Sequence, residues 1–357
     1  MRGRAERLVE LLEEPDIDVM LVTDLVNVRY LTGYTGTNGL ALIGSRTRTF
    51  LTDFRYLAQA AEEVSPAFQR LRASQDLLES LGDALPEGRL RLGFEDHKLS
   101  VRQHSQLVQR LEDRFDLVPA GGLVERLREV KEPEEVECIR AAAILADAAF
   151  EHVLRDGLIG RTEREVAMAI EQNMRERGAS QASFDTIIAA GDHGALPHAT
   201  PRDVPIREGE IVVIDWGAEL DGYCSDCTRT VAAGEPAEEL RELYELVLEA
   251  QVAGMEAVKA GRSGREADAV ARRVIEAAGY GEQFGHGLGH GVGLDVHEAP
   301  RLSQRSEDQL RPGNVVTVEP GIYVQDRFGI RIEDLVVVGD DGCEILSSLS
   351  KRLLVAH

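Results

Sequence analysis

Residues 211–231 read IVVIDWGAELDGYCSDCTRTV, two strand-like runs that each carry one acid. Asp215 ends the first apolar run, and Asp226 lies within the second. Their midpoint falls between Leu220 and Asp221, beside Gly222, where the residue types favour a tight turn. We expect a hairpin that turns there and sets the two carboxylates directly opposite each other on one face.

A second pair of acids repeats this arrangement further along the chain. Glu319 ends the run Val315-Val-Thr-Val-Glu319, and Glu333 ends the run Gly329-Ile-Arg-Ile-Glu333. Their midpoint is Asp326, which predicts a hairpin with an odd-numbered loop around that residue. Because like charges on facing strands repel each other, two such acid pairs indicate a compensating cation.

The segment Phe284-Gly-His-Gly-Leu-Gly-His-Gly-Val-Gly-Leu294 supplies a nitrogen ligand, His290. Glycine occupies every second position from 285 to 293, and each would cost a helix about 1 kcal/mol. We therefore predict an extended chain, with His290 on one face and bare backbone on the other. The glycines would let another backbone pack closely on the bare side.

Four carboxylates and one imidazole suit divalent Mn, Co, Fe or Zn better than a soft, thiolate-binding metal. Four acids also exceed what a single ion of this kind needs. A pair of ions about 3.5–4 Å apart, bridged by carboxylates, would use the whole set. The sequence therefore predicts a two-metal centre formed by Asp215, Asp226, His290, Glu319 and Glu333.

The composition restricts the class of protein. The chain has 357 residues and a formal charge of −23, whereas nucleic acids and anionic membranes attract basic patches. It has no apolar run of membrane-spanning length and no signal-peptide core at its start, so we expect a cytoplasmic protein. Cys224 and Cys227 form a Cys-x-x-Cys motif, but it lies inside a predicted strand, where we expect no redox or zinc role.

Two domains are expected. Residues 1–122 alternate short strand-like runs with helical patterns at 54–64, 74–84 and 100–113, which indicates an α/β domain ending at Gly121-Gly122. Residues 123–357 place all five candidate ligands on strands between helices, which indicates an α+β catalytic domain. Four helices are predicted in this domain. They begin at Pro133, at the capping boxes of Thr162 and Ser263, and at Pro236.

The strings that carry these residues closely resemble the pita-bread metallopeptidases, a group that contains prolidase, aminopeptidase P and methionine aminopeptidase. The resemblance extends over the whole chain. It rests on four strings, residues 214–230, 285–298, 318–323 and 329–334. It implies a pita-bread catalytic domain after a smaller creatinase-like N-terminal α/β domain. It also implies cleavage of Xaa-Pro bonds in proline-containing peptides by a homodimer with two divalent ions, most often Mn²⁺.

The resemblance assigns roles to individual residues. Asp215 would bind one ion, His290 and Glu319 the other, and Asp226 and Glu333 both. Glu319 would also act as the general acid/base on a metal-bridging water or hydroxide. His198, His286, His297, Arg301 and Arg331 match substrate-pocket positions, and His198 and His297 would be catalytic. The other histidines are expected at the surface: His97, His104, His152, His193 and His357.

Two family members remain as alternatives. The N-terminal domain disfavours methionine aminopeptidase, and the five intact ligands disfavour creatinase and non-catalytic binding proteins of this fold. Arg301 matches an arginine that some prolidases use to bind the C-terminal carboxylate of a dipeptide, a contact that suits a guanidinium. Arg331 matches an arginine that is common to prolidases and aminopeptidases P, so it does not discriminate between them. The resemblance therefore favours an Xaa-Pro dipeptidase, with an aminopeptidase P acting on longer peptides as the alternative.

Overall fold

The computed structural model describes residues 3–111 and 114–357, and the chain divides into two compact units, Met1–Arg128 and Glu129–His357. The predicted domain boundary at residue 122 lies before this division. The helix Leu123–Arg128 lies in the first unit, where Asn27 hydrogen-bonds the side chains of Glu125 and Arg128. None of the described helices is long and apolar enough to cross a lipid bilayer.

The first unit is an α/β unit, as its alternating sequence pattern predicts. Its described strands form a sheet in the order β4-β3-β2-β1-β5-β6, in which β1 pairs antiparallel with β2 and parallel with β5. The helices of this unit are α1 Arg4–Leu11, α2 Leu25–Thr32, α3 Leu57–Glu63, α4 Leu81–Ala84, α5 Val101–Leu111 and α6 Leu123–Arg128. The strands are β1 Val19–Val22, β2 Leu40–Gly44, β3 Arg48–Thr52, β4 Gln69–Arg72, β5 Leu90–Phe94 and β6 Phe115–Pro119.

The helical predictions in this unit are only partly confirmed. The helix expected at 54–64 begins at Leu57, and that expected at 74–84 is a 3-10 turn followed by the single turn of α4. The end of the helix expected at 100–113 lies outside the described residues. The sequence analysis missed α2, which has an Asp24 N-cap and ends at Gly33 with a positive φ.

The second unit has the predicted α+β composition. Its helices are α7 Pro133–Arg155, α8 Glu163–Glu176, α9 Glu238–Ala257 and α10 Gly264–Ala277. Its first strands are β7 Gln181–Ala182, β8 Ile187–Ala190, β9 Ile211–Trp216, β10 Ala218–Leu220, β11 Tyr223–Cys224 and β12 Cys227–Ala233. The later strands are β13 Gly289–Gly291, β14 Glu298–Leu302, β15 Val315–Val318, β16 Gly321–Val324, β17 Phe328–Arg331, β18 Asp334–Val338, β19 Cys343–Ile345 and β20 Leu354–Ala356.

Each main sheet of this unit packs against a pair of helices. The sheet β20-β12-β9-β8 shares a core with α7 and α8, in which Trp216 stacks on Phe150 with ring centroids 4.2 Å apart. The sheet β14-β13-β15-β18-β19 shares a second core with α9 and α10, in which Val247, Ala271 and Leu288 are fully buried. The helices therefore cover one side of each sheet, and the candidate ligands lie near breaks in the strands.

The two acid-bearing hairpins differ in how well their register matches the prediction. In the second hairpin, β16 pairs with β17 and β15 pairs with β18 about Asp326, as predicted. In the first hairpin, Asp215 pairs with Thr228 and not with Asp226. That predicted register is wrong because the turn consists of Asp221 and Gly222, both with positive φ, so its centre lies one residue further along.

The glycine–histidine segment is extended over a shorter length than predicted, since β13 contains only three residues. The predicted close packing on its bare side is present. A Cβ atom added at Gly287 would lie 2.7 Å from the carbonyl oxygen of Leu302, and one at Gly289 would collide with the backbone of Thr317. Glycine at these positions therefore lets β13 fit between its neighbours with His290 held in place.

Candidate active site

Three acids from both hairpins meet in the second unit. One carboxylate oxygen from each of Asp215, Asp226 and Glu333 lies within 4.8 Å of the other two. Although Asp215 and Asp226 are not directly opposite, they are diagonal neighbours across the hairpin, and diagonal neighbours share a face. The shift in register therefore leaves the two carboxylates together.

His290 connects this group to Glu319. Its Nε2 atom lies 3.6 Å from Asp226 Oδ2 and 3.4 Å from Glu319 Oε1. Its Nδ1 atom lies 3.1 Å from the carbonyl oxygen of Gly291, which leaves Nε2 as the ring atom facing the acids. The structure thus brings together all five side chains that the sequence analysis selected.

Burial of so many acids changes their protonation. Burial, and then repulsion from Glu333, Asp215 and Glu319, raises the pKa of Asp226 well above its ordinary value. Burial and neighbouring acids raise the pKa of Glu333 in the same way, and burial raises the pKa of Glu319 to about 7. Each of these shifts favours the protonated form of its group.

The donor set fits divalent cations. It offers carboxylate oxygens and one imidazole nitrogen, which are ligands that Mn, Fe, Co and Zn accept. Asp215 Oδ1 is buried and has no hydrogen-bond partner, although buried polar atoms nearly always have one. The unpaired oxygen and the raised pKa values are what a site built for cations would show in the absence of their charge.

Arg331 is the nearest fixed positive charge. Its guanidinium donates to Asp215 Oδ2 (2.6 Å), Thr228 Oγ1 (2.9 Å), the Tyr323 hydroxyl (2.8 Å) and the carbonyl oxygen of Pro197 (3.2 Å). The side chain is buried, and its contacts hold Asp215 in one orientation. Thr228 also donates to Glu333 Oε2 (2.7 Å), so one hydroxyl links both hairpins.

The acids open onto a cavity of about 800 Å³, and the predicted pocket residues His198, His286, His297, Arg301 and Arg331 line it with them. A cavity of this size is typical of small-molecule sites. The ring of His297 lies 4.4 Å from that of His290, between centroids. Burial, and then the proximity of Arg301 and His198, lowers the pKa of His297, which favours its neutral form.

His286 also lines the cavity, and both of its ring nitrogens have a hydrogen-bond partner. Its Nδ1 atom lies 2.8 Å from the carbonyl oxygen of Gly287, and its Nε2 atom lies 3.1 Å from the Tyr323 hydroxyl. Burial and the nearby Arg331 lower the pKa of His286 to about 4, so the ring is neutral at neutral pH. Tyr323 therefore connects His286 to Arg331.

Two residues that hydrogen-bond the site side chains were not predicted from the sequence, Thr228 and Tyr323. Thr228 follows Asp226 by two positions and Tyr323 lies within the quoted string 318–323, so both were in view without a reason to select them. The prediction that His193 lies at the surface is wrong. His193 is buried, and its Nδ1 atom lies 2.9 Å from Glu163 Oε2.

Comparison with known proteins identifies the family of the chain. Residues 137–340 match metallopeptidase family M24, and residues 4–130 match the creatinase/prolidase N-terminal domain. The chain is 37% identical to the Xaa-Pro dipeptidase of Pyrococcus furiosus, over 99% of this chain and 100% of that protein.

Solved structures show the same similarity. The Xaa-Pro dipeptidase from Bacillus anthracis is 42% identical, with a TM-score of 0.94 and 99% of each chain covered. The X-Pro aminopeptidase from Thermotoga maritima is 37% identical, with a TM-score of 0.91, and covers 99% of this chain and 100% of its own. The predicted two-domain fold is therefore confirmed, and the chain belongs to metallopeptidase family M24.

Proposed function

We propose that this chain is an Xaa-Pro dipeptidase that uses two divalent metal ions. The observation that carries the proposal is the convergence of four acids and His290 on one side of a cavity that is also lined by Arg301. Relatives that carry the name Xaa-Pro dipeptidase match this chain over nearly its whole length. A metallopeptidase of this family requires divalent metal ions, so the proposal concerns their number, their ligands and the substrate.

The proposed ligands are Asp215, Asp226, His290, Glu319 and Glu333, with Asp226 and Glu333 shared by both ions. The support is the 4.8 Å grouping of three acids and the short distances from His290 to Asp226 and Glu319. When bound, the two cations would polarise the scissile carbonyl and acidify the attacking water. Manganese is the metal we propose, because the donor set is rich in oxygen.

Glu319 is proposed to move the proton. Its Oε1 atom accepts a hydrogen bond from the Thr317 hydroxyl (3.1 Å), which fixes the carboxyl group at the cavity wall. A carboxylate held in this way can accept a proton and release it again during the reaction. It would take a proton from the attacking water and deliver it to the proline nitrogen as the peptide bond breaks.

His198 and His297 are proposed to stabilise the negative charge that develops on the carbonyl oxygen. Both side chains line the cavity, and a neutral imidazole can donate one N–H to such an oxygen. His286 is proposed to form part of the substrate wall. Arg331 is proposed to act on substrate only indirectly, because its guanidinium already holds Asp215, Thr228 and Tyr323.

The proposal of a dipeptidase, and not of an aminopeptidase, rests on Arg301. It lies on β14 beside His290, lines the cavity and is exposed, so a substrate carboxylate can reach it. A dipeptide presents its terminal carboxylate there, whereas a longer peptide presents an uncharged amide. One observation supports the alternative, an aminopeptidase acting on longer peptides. It is the similarity to the X-Pro aminopeptidase from Thermotoga maritima.

The test compares hydrolysis of Ala-Pro, Ala-Pro-amide and Ala-Pro-Ala by the manganese-loaded protein. We expect the amide and the tripeptide to lose about 1.5–3 kcal/mol of transition-state binding, or about ten- to a hundredfold in kcat/KM. Arg301→Ala should remove most of that difference. Arg305→Ala, a change at an exposed arginine four residues away, is the matched control and should leave it intact.

Each outcome has a consequence. A wild-type preference for Ala-Pro-Ala would make the protein an aminopeptidase P and give Arg301 another use. Absence of turnover with every substrate would favour a binding role for this fold. We also propose a homodimer in the cytoplasm, which light scattering at micromolar concentration and cell fractionation would test.

A further inference from the structure

Glu163, the first residue of α8, is an unusual residue to find in the protein interior. Its side chain is buried, although an ionised carboxylate is costly to remove from water unless it is fully paired. The helix N-terminus also favours a negative charge at this position, but its effect is small beside the cost of burying a carboxylate. Other groups must therefore stabilise the charge.

These groups all come from one stretch of chain, residues 190–202, which we call the His198 segment. The carboxylate accepts hydrogen bonds from the backbone N–H of Ala190 (3.0 Å) and of Arg202 (2.8 Å). The Arg202 guanidinium donates two more, from Nε (3.2 Å) and Nη2 (3.1 Å), and His193 Nδ1 lies 2.9 Å away. One buried carboxylate thus holds the first and last residues of the segment and one residue inside it.

The side of the segment nearer the active site is held separately. The carbonyl oxygen of Pro197 accepts from Arg331, and a Cβ atom added at Gly194 would lie 3.0 Å from the backbone nitrogen of Gly329. The next residue is His198, which lines the cavity. Among the hydrogen bonds of the described residues, none involves the His198 imidazole, so its position depends on the backbone that carries it.

The charge on Glu163 is maintained despite its burial. Burial opposes ionisation, but the hydrogen bonds from Arg202, Ala190 and His193 outweigh it and lower the pKa of Glu163. The contacts are therefore charge-assisted, which makes them roughly twice as strong as hydrogen bonds between neutral groups.

We propose that Glu163 is a positioning residue for His198, holding both ends of the His198 segment so that the imidazole is presented to the substrate carbonyl. The proposal rests on the proposed function, because His198 has its catalytic role there. Glu163 is outside the cavity lining and acts only through the segment. It is a residue that a list of cavity side chains would not reveal.

The first test is Glu163→Gln, which keeps the shape and removes the charge. We expect kcat/KM for Ala-Pro to fall about ten- to a hundredfold, mainly in kcat, with both metals retained, because a small displacement of a catalytic group has an effect of this size. Glu165→Gln is the matched control. Glu165 lies in the same helical turn, and its side chain accepts a hydrogen bond from the backbone N–H of Thr162, a contact that glutamine can also make. The kcat/KM of Glu165→Gln should therefore stay within about twofold of the wild-type value.

The second test is a double-mutant cycle with His198→Ala. If Glu163 acts through His198, Glu163→Gln should cause almost no further loss in the His198→Ala background. An undiminished loss there would overturn the proposal. Arg202→Gln, which removes two of the contacts from a half-exposed side chain, should give a smaller loss of the same kind and serves if Glu163→Gln does not fold.

The third test does not depend on turnover. Hydrogen exchange of peptides covering residues 187–204 should be faster in Glu163→Gln than in wild type, with exchange elsewhere unchanged. Unchanged exchange in this region would overturn the proposal, even if activity fell. If wild type does not cleave Xaa-Pro bonds at all, the proposed function fails, and the exchange result still decides whether Glu163 holds the segment.

Discussion

The two acid-bearing hairpins reach the same result by different turns. The hairpin with Asp215 and Asp226 closes through the two residues Asp221 and Gly222, with φ values of 49° and 77°. The hairpin with Glu319 and Glu333 closes through a three-residue loop centred on Asp326, with φ of 59°. In the first, Asp215 faces Thr228, whereas the register of the second places Glu319 across from Glu333.

The comparison shows what controls the register. When a hairpin loop has an odd number of residues, its central residue is the midpoint between facing residues, as Asp326 is between Glu319 and Glu333. When the turn has two residues, its chemistry selects the centre, and Asp-Gly is a preferred pair for a turn with two positive φ angles. Moving the centre by one residue moves each partner by two, which keeps every side chain on its original face. The acid cluster therefore tolerates the difference.

The largest expected effect comes from the second hairpin. Glu319→Gln should lower kcat by about 10²- to 10⁴-fold, because it removes the group proposed to move the proton and weakens a proposed metal ligand. Steady-state kinetics with measured metal content would check this. Glu249→Gln, a change at an exposed acid on α9, is the control and should have normal activity. Near-normal turnover and metal content in Glu319→Gln would place the general base elsewhere.

Metal removal should expose the repulsion within the two hairpins. The pKa of Glu319 is raised from an ordinary value of 4.5 to about 7, so the metal-free folded protein holds more protons than the unfolded chain between these values. Its free energy of unfolding should therefore fall as the pH rises from about 5 to about 7, by about 1.4 kcal/mol per pH unit for each extra proton held. Asp226 and Glu333 act in the same direction.

Thermal unfolding of chelated and manganese-loaded protein between pH 5 and pH 8 would measure this effect. Cations displace the protons, so the stabilisation by metal should grow with pH. A metal-free protein that becomes more stable over this range would contradict the raised pKa values.

The smallest effect concerns the turns. Gly222→Ala should destabilise the protein by about 1 kcal/mol, because an alanine resists the positive φ that this position requires. Asp326→Gly should have the opposite sign and stabilise it by less than about 1 kcal/mol, since glycine removes the strain but gains freedom when unfolded. Urea unfolding of the metal-loaded variants would measure both. Destabilisation by Asp326→Gly would contradict the strain inferred at that position.

Local signals in the sequence predicted the helices of the second unit well. The capping boxes at Thr162 and Ser263 begin α8 and α10, and Glu132 with Pro133 begins α7, because each signal acts within one helical turn. Sequence patterns predicted the lengths of other elements less well. The single turn of α4 and the three residues of β13 are both shorter than their sequence patterns predicted.

The sequence by itself determined which five side chains lie together at the site, that hairpins carry the four acids, and which family the chain resembles, because those features depend on residue type and short spacing. Tertiary structure alone decided how closely His290 approaches Asp226 and Glu319, that Arg331 holds Asp215, and that Glu163 is buried against the His198 segment. These contacts join residues far apart in the chain, and their energies depend on burial, which no short stretch of sequence specifies.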